Sequence, residues 1–364
     1  MTQEPAVLHA AATYAAAILT GYAVASTGLI SDDGRKGIAT LYAKLIFPTM
    51  VFRGVAAIQL ATVDLSLVIV VLFAKLIVVL LCVVFCWRAL SRKYAGNSLA
   101  HAAMLAMASS HSFDVTWGVP LSRALFPNDV PYIYLNQSVQ LLVVNPLLLM
   151  VIELSAARGP GSTTLSNVLK NGLLKNPLVM MTLAGALAGQ LFPTGIPPLL
   201  GIFTKHVADA GPFLGFLTLG FAVSALGTTG ANELCICIVL AAFKMVLMPK
   251  LYLLLRGFVG CSVNISFLSF MGGLPASASV YSLSLVKGLS PEVIGPLVPL
   301  TMFLSFIFSL SSLYSSSNHK EGGQISANAI QLILGLVACA CGLRVLLDSA
   351  GAGRSMAIRG LKVG

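Results

Sequence analysis

Apolar residues in this chain neither alternate with polar ones at the period of a strand nor keep to one stripe of a helix; they run in long windows divided by short polar stretches. Each window reaches the roughly 20 residues needed to cross about 30 Å of hydrocarbon as a helix. The windows fall at residues 7–30, 38–60, 63–87, 99–126, 130–154, 172–192, 199–226, 233–256, 262–287, 292–314 and 326–347. The pattern predicts an all-α membrane protein with ten transmembrane helices and an eleventh, C-terminal helix set off by the polar stretch SSSNHKEGGQ. Alternating segments of about 10 residues, the mark of a membrane barrel, are not seen. The first window is longer than the apolar core of a signal peptide and follows MTQEPA, which has no basic residue, so it is expected to stay in the mature chain.

Two windows are interrupted in a way an oily helix avoids. The stretch HSFDVTWGVPLSRALFP, 111–127, places Asp114, Gly118, Pro120 and Arg123 in the fourth window, and GGLPAS places Gly273 and Pro275 in the ninth. The windows just before them are alike too: VVLFAKLIVVLLC sets Lys75 in a long apolar run, and IVLAAFKMVLMPK sets Lys244. Five spans followed by five more enter the membrane from opposite sides, so the repetition predicts two inverted five-helix repeats in which helices 4 and 9 are broken and cross. Such repeats meet near the midplane, where interrupted helices offer backbone groups and dipole ends to a ligand. Irregular backbone at that depth is tolerated only inside protein or against a wet cavity. A lone proline in a membrane helix is often a simple kink; two at matching places, each preceded by Gly, favour a site. The expected division is 1–155 for the first repeat, 156–171 for a short cytoplasmic linker, 172–315 for the second repeat, and 316–364 for a polar loop, accessory helix and basic tail.

Composition agrees with the windows, at 57% hydrophobic and 9% charged. The net charge of +10 is scattered rather than patched and no nucleic-acid motif accompanies it, so a nucleic-acid partner is not expected. Topology accounts for it better. Arg35, Lys36, Arg88, Arg92, Lys93, Arg158, Lys170, Lys175, Lys287, Arg344, Arg354, Arg359 and Lys362 fall on one side, against Lys205, Lys250, Arg256 and Lys320 on the other. The richer side is cytoplasmic by the positive-inside rule, which places the N-terminus outside or in a lumen. The cysteines lie in or beside apolar windows and read as buried thiols; no metal site and no cofactor is expected. Asn136 and Asn264 match the glycosylation pattern, but one lies in a span and the other at its mouth, so neither is expected to be used. No Walker or Rossmann glycine pattern, zinc-protease motif or nucleophile elbow is present, and no enzyme is expected.

The buried polar residues are the candidate chemistry. A carboxylate at the bilayer centre costs on the order of 3 kcal/mol, so Asp114 must face a partner or water. It can act as proton carrier, cation ligand or fixed counter-ion of Lys75 or Lys244. The lysines can equally snorkel, hold the halves together or contact substrate. Backbone amides at half-helix starts near Pro120 and Pro275 suit a carboxylate, with Ser277, Ser279 and Tyr281 as further donors. Gln137 and Gln140 in the fifth window are ligands or interhelical glue, and Gly185 and Gly189 in GALAG let helices approach.

These motifs together resemble the auxin efflux carrier, or PIN-like, transporter family, and more closely the transporter-like module of lysosomal cholesterol-sensing proteins. The residues that carry the resemblance are LIFPTMVFRGV (45–55), SFDVTWGVPL (112–121), YIYLNQSVQLLVVNPLLLMVIEL (132–154), KNPLVMMTLAGALAG (175–189) and LPASASVYSL (274–283). It implies that spans 1, 2, 6 and 7 form a scaffold and spans 3–5 with 8–10 an elevator-like moving domain. The substrate then sits where helices 4 and 9 cross, with Pro120 and Pro275 as the crossover prolines. It further implies a homodimer through the scaffold in a plasma or endolysosomal membrane. One departure stands out: the family has an asparagine seven residues before the first crossover proline, and here that residue is Phe113. Asn136 or Gln137 are the amides available to replace it. Two functions follow: secondary transport of a small organic anion or amphipathic carboxylate, or a non-transporting sterol or lipid sensor on the same fold. A seven-span receptor has too few spans.

Overall fold

A computed structural model describes residues 3–58, 64–91, 93–94, 96–156, 177–224, 230–318 and 330–346. Among the described residues the regular structure is helical, with one isolated antiparallel bridge and no strand. Helix α1 is Gln3–Ser26, α2 Asp32–Ala56, α3 Ser66–Leu90 and α4 Ser98–Ser110. After a break come α5, Val119–Leu125, and α6, Pro127–Ser155. Then follow α7 Pro177–Leu191, α8 Pro198–Asp209, α9 Gly211–Ser224 and α10 Ala231–Val259. The chain continues with α11 Ile265–Gly272, α12 Ala278–Lys287, α13 Pro291–Asn318 and α14 Ile330–Leu346. Among the described residues, five stretches are uninterrupted, long and apolar enough to cross a membrane: α2, α3, α6, α10 and the Pro291–Ser309 part of α13. The accessory helix expected at 326–347 is present as α14. Most of the expected linker, residues 157–171, lies outside the described residues, as do the loop 319–329 and the tail 347–364.

The windows at 99–126, 199–226 and 262–287 are each divided in two. The middle division was not expected: α8 ends at Asp209, and Gly211 begins α9 where a Cβ would lie 1.9 Å from the Met50 sulfur. A Cβ there would force the Met50 side chain to move, so the glycine lets α9 start close against α2.

Among the described residues four π turns widen the helices: Tyr42–Ile46, Asp114–Gly118, Gln140–Val144 and Phe243–Leu247. Each ends two residues before a proline, namely Pro48, Pro120, Pro146 and Pro249. Proline removes one amide donor and its ring collides with the carbonyl four residues earlier. That carbonyl lies inside the π turn in every case, so the extra residue absorbs the clash without a gap in the helix.

Apolar side chains gain nothing by leaving lipid tails for one another, so close backbone approach carries much of the packing. α1 crosses α9 through Gly21 and Gly220, where a Cβ would come within 2.2 Å of the Leu217 and Ile18 carbonyl oxygens. α7 crosses α2 through Gly185 and Gly189, at 2.7 Å from Phe52 O and 2.9 Å from Ala56 O. The main packing pairs form two groups. In one, α1 packs on α9, and α2 packs on α7 and α8. In the other, α4 lies against α3 and α6, and α10 touches α3, α11 and α13.

Outside the spans, Asp64 ties the α2–α3 connection to the α10–α11 connection. Its Oδ2 accepts from the Ser262 amide and hydroxyl, both at 2.6 Å, and its Oδ1 accepts from the Ser66 amide at 2.9 Å and the Ser66 hydroxyl. Bonds from the Ser262 hydroxyl first, then the Ser66 hydroxyl, hold this carboxyl well below the usual carboxylate range.

Candidate functional site

The two helix breaks pair with each other. Helix α4 stops at Ser110, residues 111–113 run extended, and the chain becomes helical again at Asp114. Helix α11 stops at Gly272, and the second break runs through Pro275 to Ser277. Between them the Phe113 amide donates to Pro275 O at 2.9 Å and the Ser277 amide to His111 O at 3.3 Å, with Ser112 opposite Ala276. Backbone groups freed by ending two helices inside the protein thus satisfy one another, as burial demands. Thr301 of α13 adds its hydroxyl as acceptor for the Ala276 amide at 3.0 Å.

Two lysines reach this crossing, one from each half of the chain, and both are fully buried. Lys75 of α3 donates to Ser110 O and Gln140 Oε1, each at 2.9 Å. Lys244, in the π turn of α10, donates to the Ser112 hydroxyl at 2.6 Å. Gln140 is consumed by the break: its Oε1 also accepts from the Ser112 amide at 2.8 Å, and its Nε2 donates to Ser112 O at 3.4 Å. Of the two roles open to it, interhelical glue is the one these bonds describe.

Asp114, 1% exposed, opens the π turn after the first break. Among the described residues it has no cation within salt-bridge distance. Instead Asn136 Nδ2 donates to its Oδ1 at 2.8 Å, and Tyr252 of α10 donates to Asn136 Oδ1 at 2.8 Å. Asp114 Oδ2 has no hydrogen-bond partner among the described residues, nor does Gln137 Oε1 or Trp117 Nε1. Two lysine amines and one carboxyl group therefore share the crossing, with unpaired polar atoms beside them. A carboxylate with one free oxygen can take a proton or a cation, and two ammonium groups attract an anion.

Aromatic rings close one side. Phe216 of α9 stacks on Tyr14 of α1 at 4.3 Å and meets Phe113 and Trp117 edge to face at 5.9 and 5.8 Å. Phe113 is thus part of a ring cluster between the two packing groups. Asn136, one of the two amides available as a replacement there, is bonded to Asp114 and Tyr252.

The remaining expected residues divide clearly. Pro275 lies in the second break, Ser277 caps α12, and its hydroxyl bonds Ser279 at 2.8 Å; Tyr281 is buried farther along the same helix. Pro120 does not lie at the crossing. The first break comes seven residues earlier, and Phe113 rather than Pro120 bonds Pro275, because Pro120 is accommodated by the π turn and not by a break. The two prolines are therefore not equivalent in the structure. Gly118 leaves room for Leu274, whose Cδ1 a Cβ would meet at 2.9 Å, whereas Gly273 ends α11 at φ −84°, a value open to any residue. Arg123 is exposed at the end of α5. Asn136 is buried, and Asn264 caps α11 through its side-chain oxygen. Sequence reasoning missed Ser112, Tyr252 and Thr301. Ser112 lay in the quoted stretch as the polar neighbour of Phe113; Tyr252 and Thr301 carried no signal beyond a polar tip in an apolar run.

No protein-family model matches the chain. It is 21% identical over 244 residues to the lysosomal cholesterol signaling protein of Mus musculus, a match over 64% of this chain and 28% of that protein. The chain thus matches little more than a quarter of the relative's length.

Proposed function

We propose that this chain is a secondary transporter of a small organic anion or amphipathic carboxylate, built as two inverted five-helix repeats of the PIN-like kind. One observation carries the reading: the two broken segments, one from each half, are bonded to each other, and the first of them is bonded by two buried lysines, one from each half of the chain. The substrate carboxylate takes the positive field of Lys75 and Lys244 beside the half-helix start at Asp114, and the free oxygen of Asp114 carries the coupling proton or cation. The tighter packing of α1 on α9 and of α2 on α7 and α8 than of these helices on the other group supports an elevator-like motion. The ring cluster at their boundary would shield the site when closed.

The distant relative's name favours a second reading, a sterol or lipid sensor in an endolysosomal membrane, with the aromatic wall around Phe113 as its apolar contact. Charge movement across proteoliposomes, challenged with a panel of carboxylates including indole acetate, separates the two. The transporter gives a saturable current that Asp114→Asn abolishes while the protein remains inserted. A silent panel, together with specific labelling by a sterol photoprobe, would replace transport with sensing.

A further inference from the structure

Away from the crossing, a cleft of about 430 Å³ opens between the end of α2 and the start of α8. It is lined by Arg53 and Ala57, by Gly195 and Ile196 of the α7–α8 connection, and by Ile202 and Lys205 among others, with no carboxylate among its lining residues. Arg53 is fixed in place: its guanidinium donates to Gly201 O at 2.6 Å and to the Thr204 hydroxyl at 2.9 Å. Among the described residues no acid lies within salt-bridge distance of it. Among the described residues Lys205 pairs with Asp209, one turn along the helix at 2.7 Å, and both are more than half exposed. The flank of α8 beside this basic cleft is apolar and outward-facing, with Leu199 85%, Phe203 62% and Ile202 59% exposed.

We propose that this cleft binds the headgroup of an anionic phospholipid. The phosphate sits between Arg53, whose planar fork suits its oxygens, and Lys205, while the acyl chains lie along Leu199, Ile202 and Phe203. A free anion would use the two cations and leave the apolar flank idle. A lipid uses both, its phosphate meeting the cations and its chains the exposed apolar flank. The inference stands apart from the reading of the crossing, since none of these residues touches it. Under the transport reading, the bound lipid would hold the α2–α8 body in the bilayer while the other group moves.

Native mass spectrometry of the detergent-purified protein tests this, titrated separately with phosphatidylglycerol and phosphatidylcholine, with inorganic phosphate as competitor. Phosphatidylglycerol is expected to be retained over phosphatidylcholine. Lys205→Gln is expected to weaken its retention about fivefold, and Lys205→Glu by about a further fivefold, the worth of one charge near a membrane surface in each step. Arg53→Gln would also remove the bonds to Gly201 and Thr204, so the exposed Lys205 carries the test and a melting curve checks each variant's fold. Equal retention of the two lipids, or unchanged retention in both Lys205 variants, would overturn the proposal. Displacement of phosphatidylglycerol by an equal concentration of inorganic phosphate would assign the cleft to a free anion instead.

Discussion

Replacing Ser112 by Ala would strand the ammonium of Lys244. That ammonium is fully buried, and the Ser112 hydroxyl at 2.6 Å is its side-chain partner. Lys75, by contrast, bonds the Ser110 carbonyl and Gln140 and loses nothing. A hydrogen bond to a charged group is worth about 1.5–3 kcal/mol, and a buried polar group left unpaired costs about 1–3 kcal/mol. Ser112→Ala should therefore destabilise by about 2 kcal/mol. Lys244→Met removes the charge together with its need for a partner, and trading a buried ionic group for an apolar one of similar volume is often close to neutral. The double variant should match Lys244→Met alone, giving a coupling energy of about 2 kcal/mol between the two sites. Unfolding titrations in mixed micelles measure the cycle. Additivity within about 0.5 kcal/mol would refute the claim that Ser112 is what makes the buried lysine tolerable.

Other perturbations probe separate parts of the architecture. Gly185→Leu would drive a side chain into the Phe52 carbonyl, 2.7 Å from the Cβ alone, and should lower the melting temperature by forcing α7 off α2; an unchanged melting curve would show that this approach is not needed. Asp64→Asn should destabilise at neutral pH by weakening the link to Ser66 and Ser262. Because the folded carboxyl titrates below its unfolded value, its stabilisation is full above the unfolded value near 4 and is lost as pH falls toward the folded one. The gap between wild type and Asp64→Asn should therefore hold down to about pH 4 and narrow below it; a gap that narrows already at pH 6 would point to a different group.

The windows made the helices legible, because spanning length and continuous apolarity leave little choice of structure. The breaks were half legible. Gly-x-Pro marked 118–120 and 273–275, but a proline does not say whether the helix will break or merely widen. Pro275 lies in a break with its carbonyl paired to Phe113, while Pro120 follows a π turn that keeps the helix going. What breaks the first helix is the pairing of residues 111–113 with the second break, a long-range contact with no local signature. Asp114 could be seen to need a partner, and the nearby lysines were the obvious candidates. The amide of Asn136 took that place, itself oriented by Tyr252 from α10, which lies 116 positions away from it in the chain.

The resulting arrangement ties the crossing to helix geometry on three sides. Asp114, Gln140 and Lys244 each lie in a π turn, and each turn ends two residues before a proline. A π turn shifts the register of the side chains beyond it and leaves backbone groups less tightly paired. The prolines therefore aim these polar side chains at the breaks without sitting at the breaks themselves. On this reasoning Pro146 and Pro249 belong to the machinery of the site as much as Pro275 does, because they fix the direction of Gln140 and Lys244 from outside it.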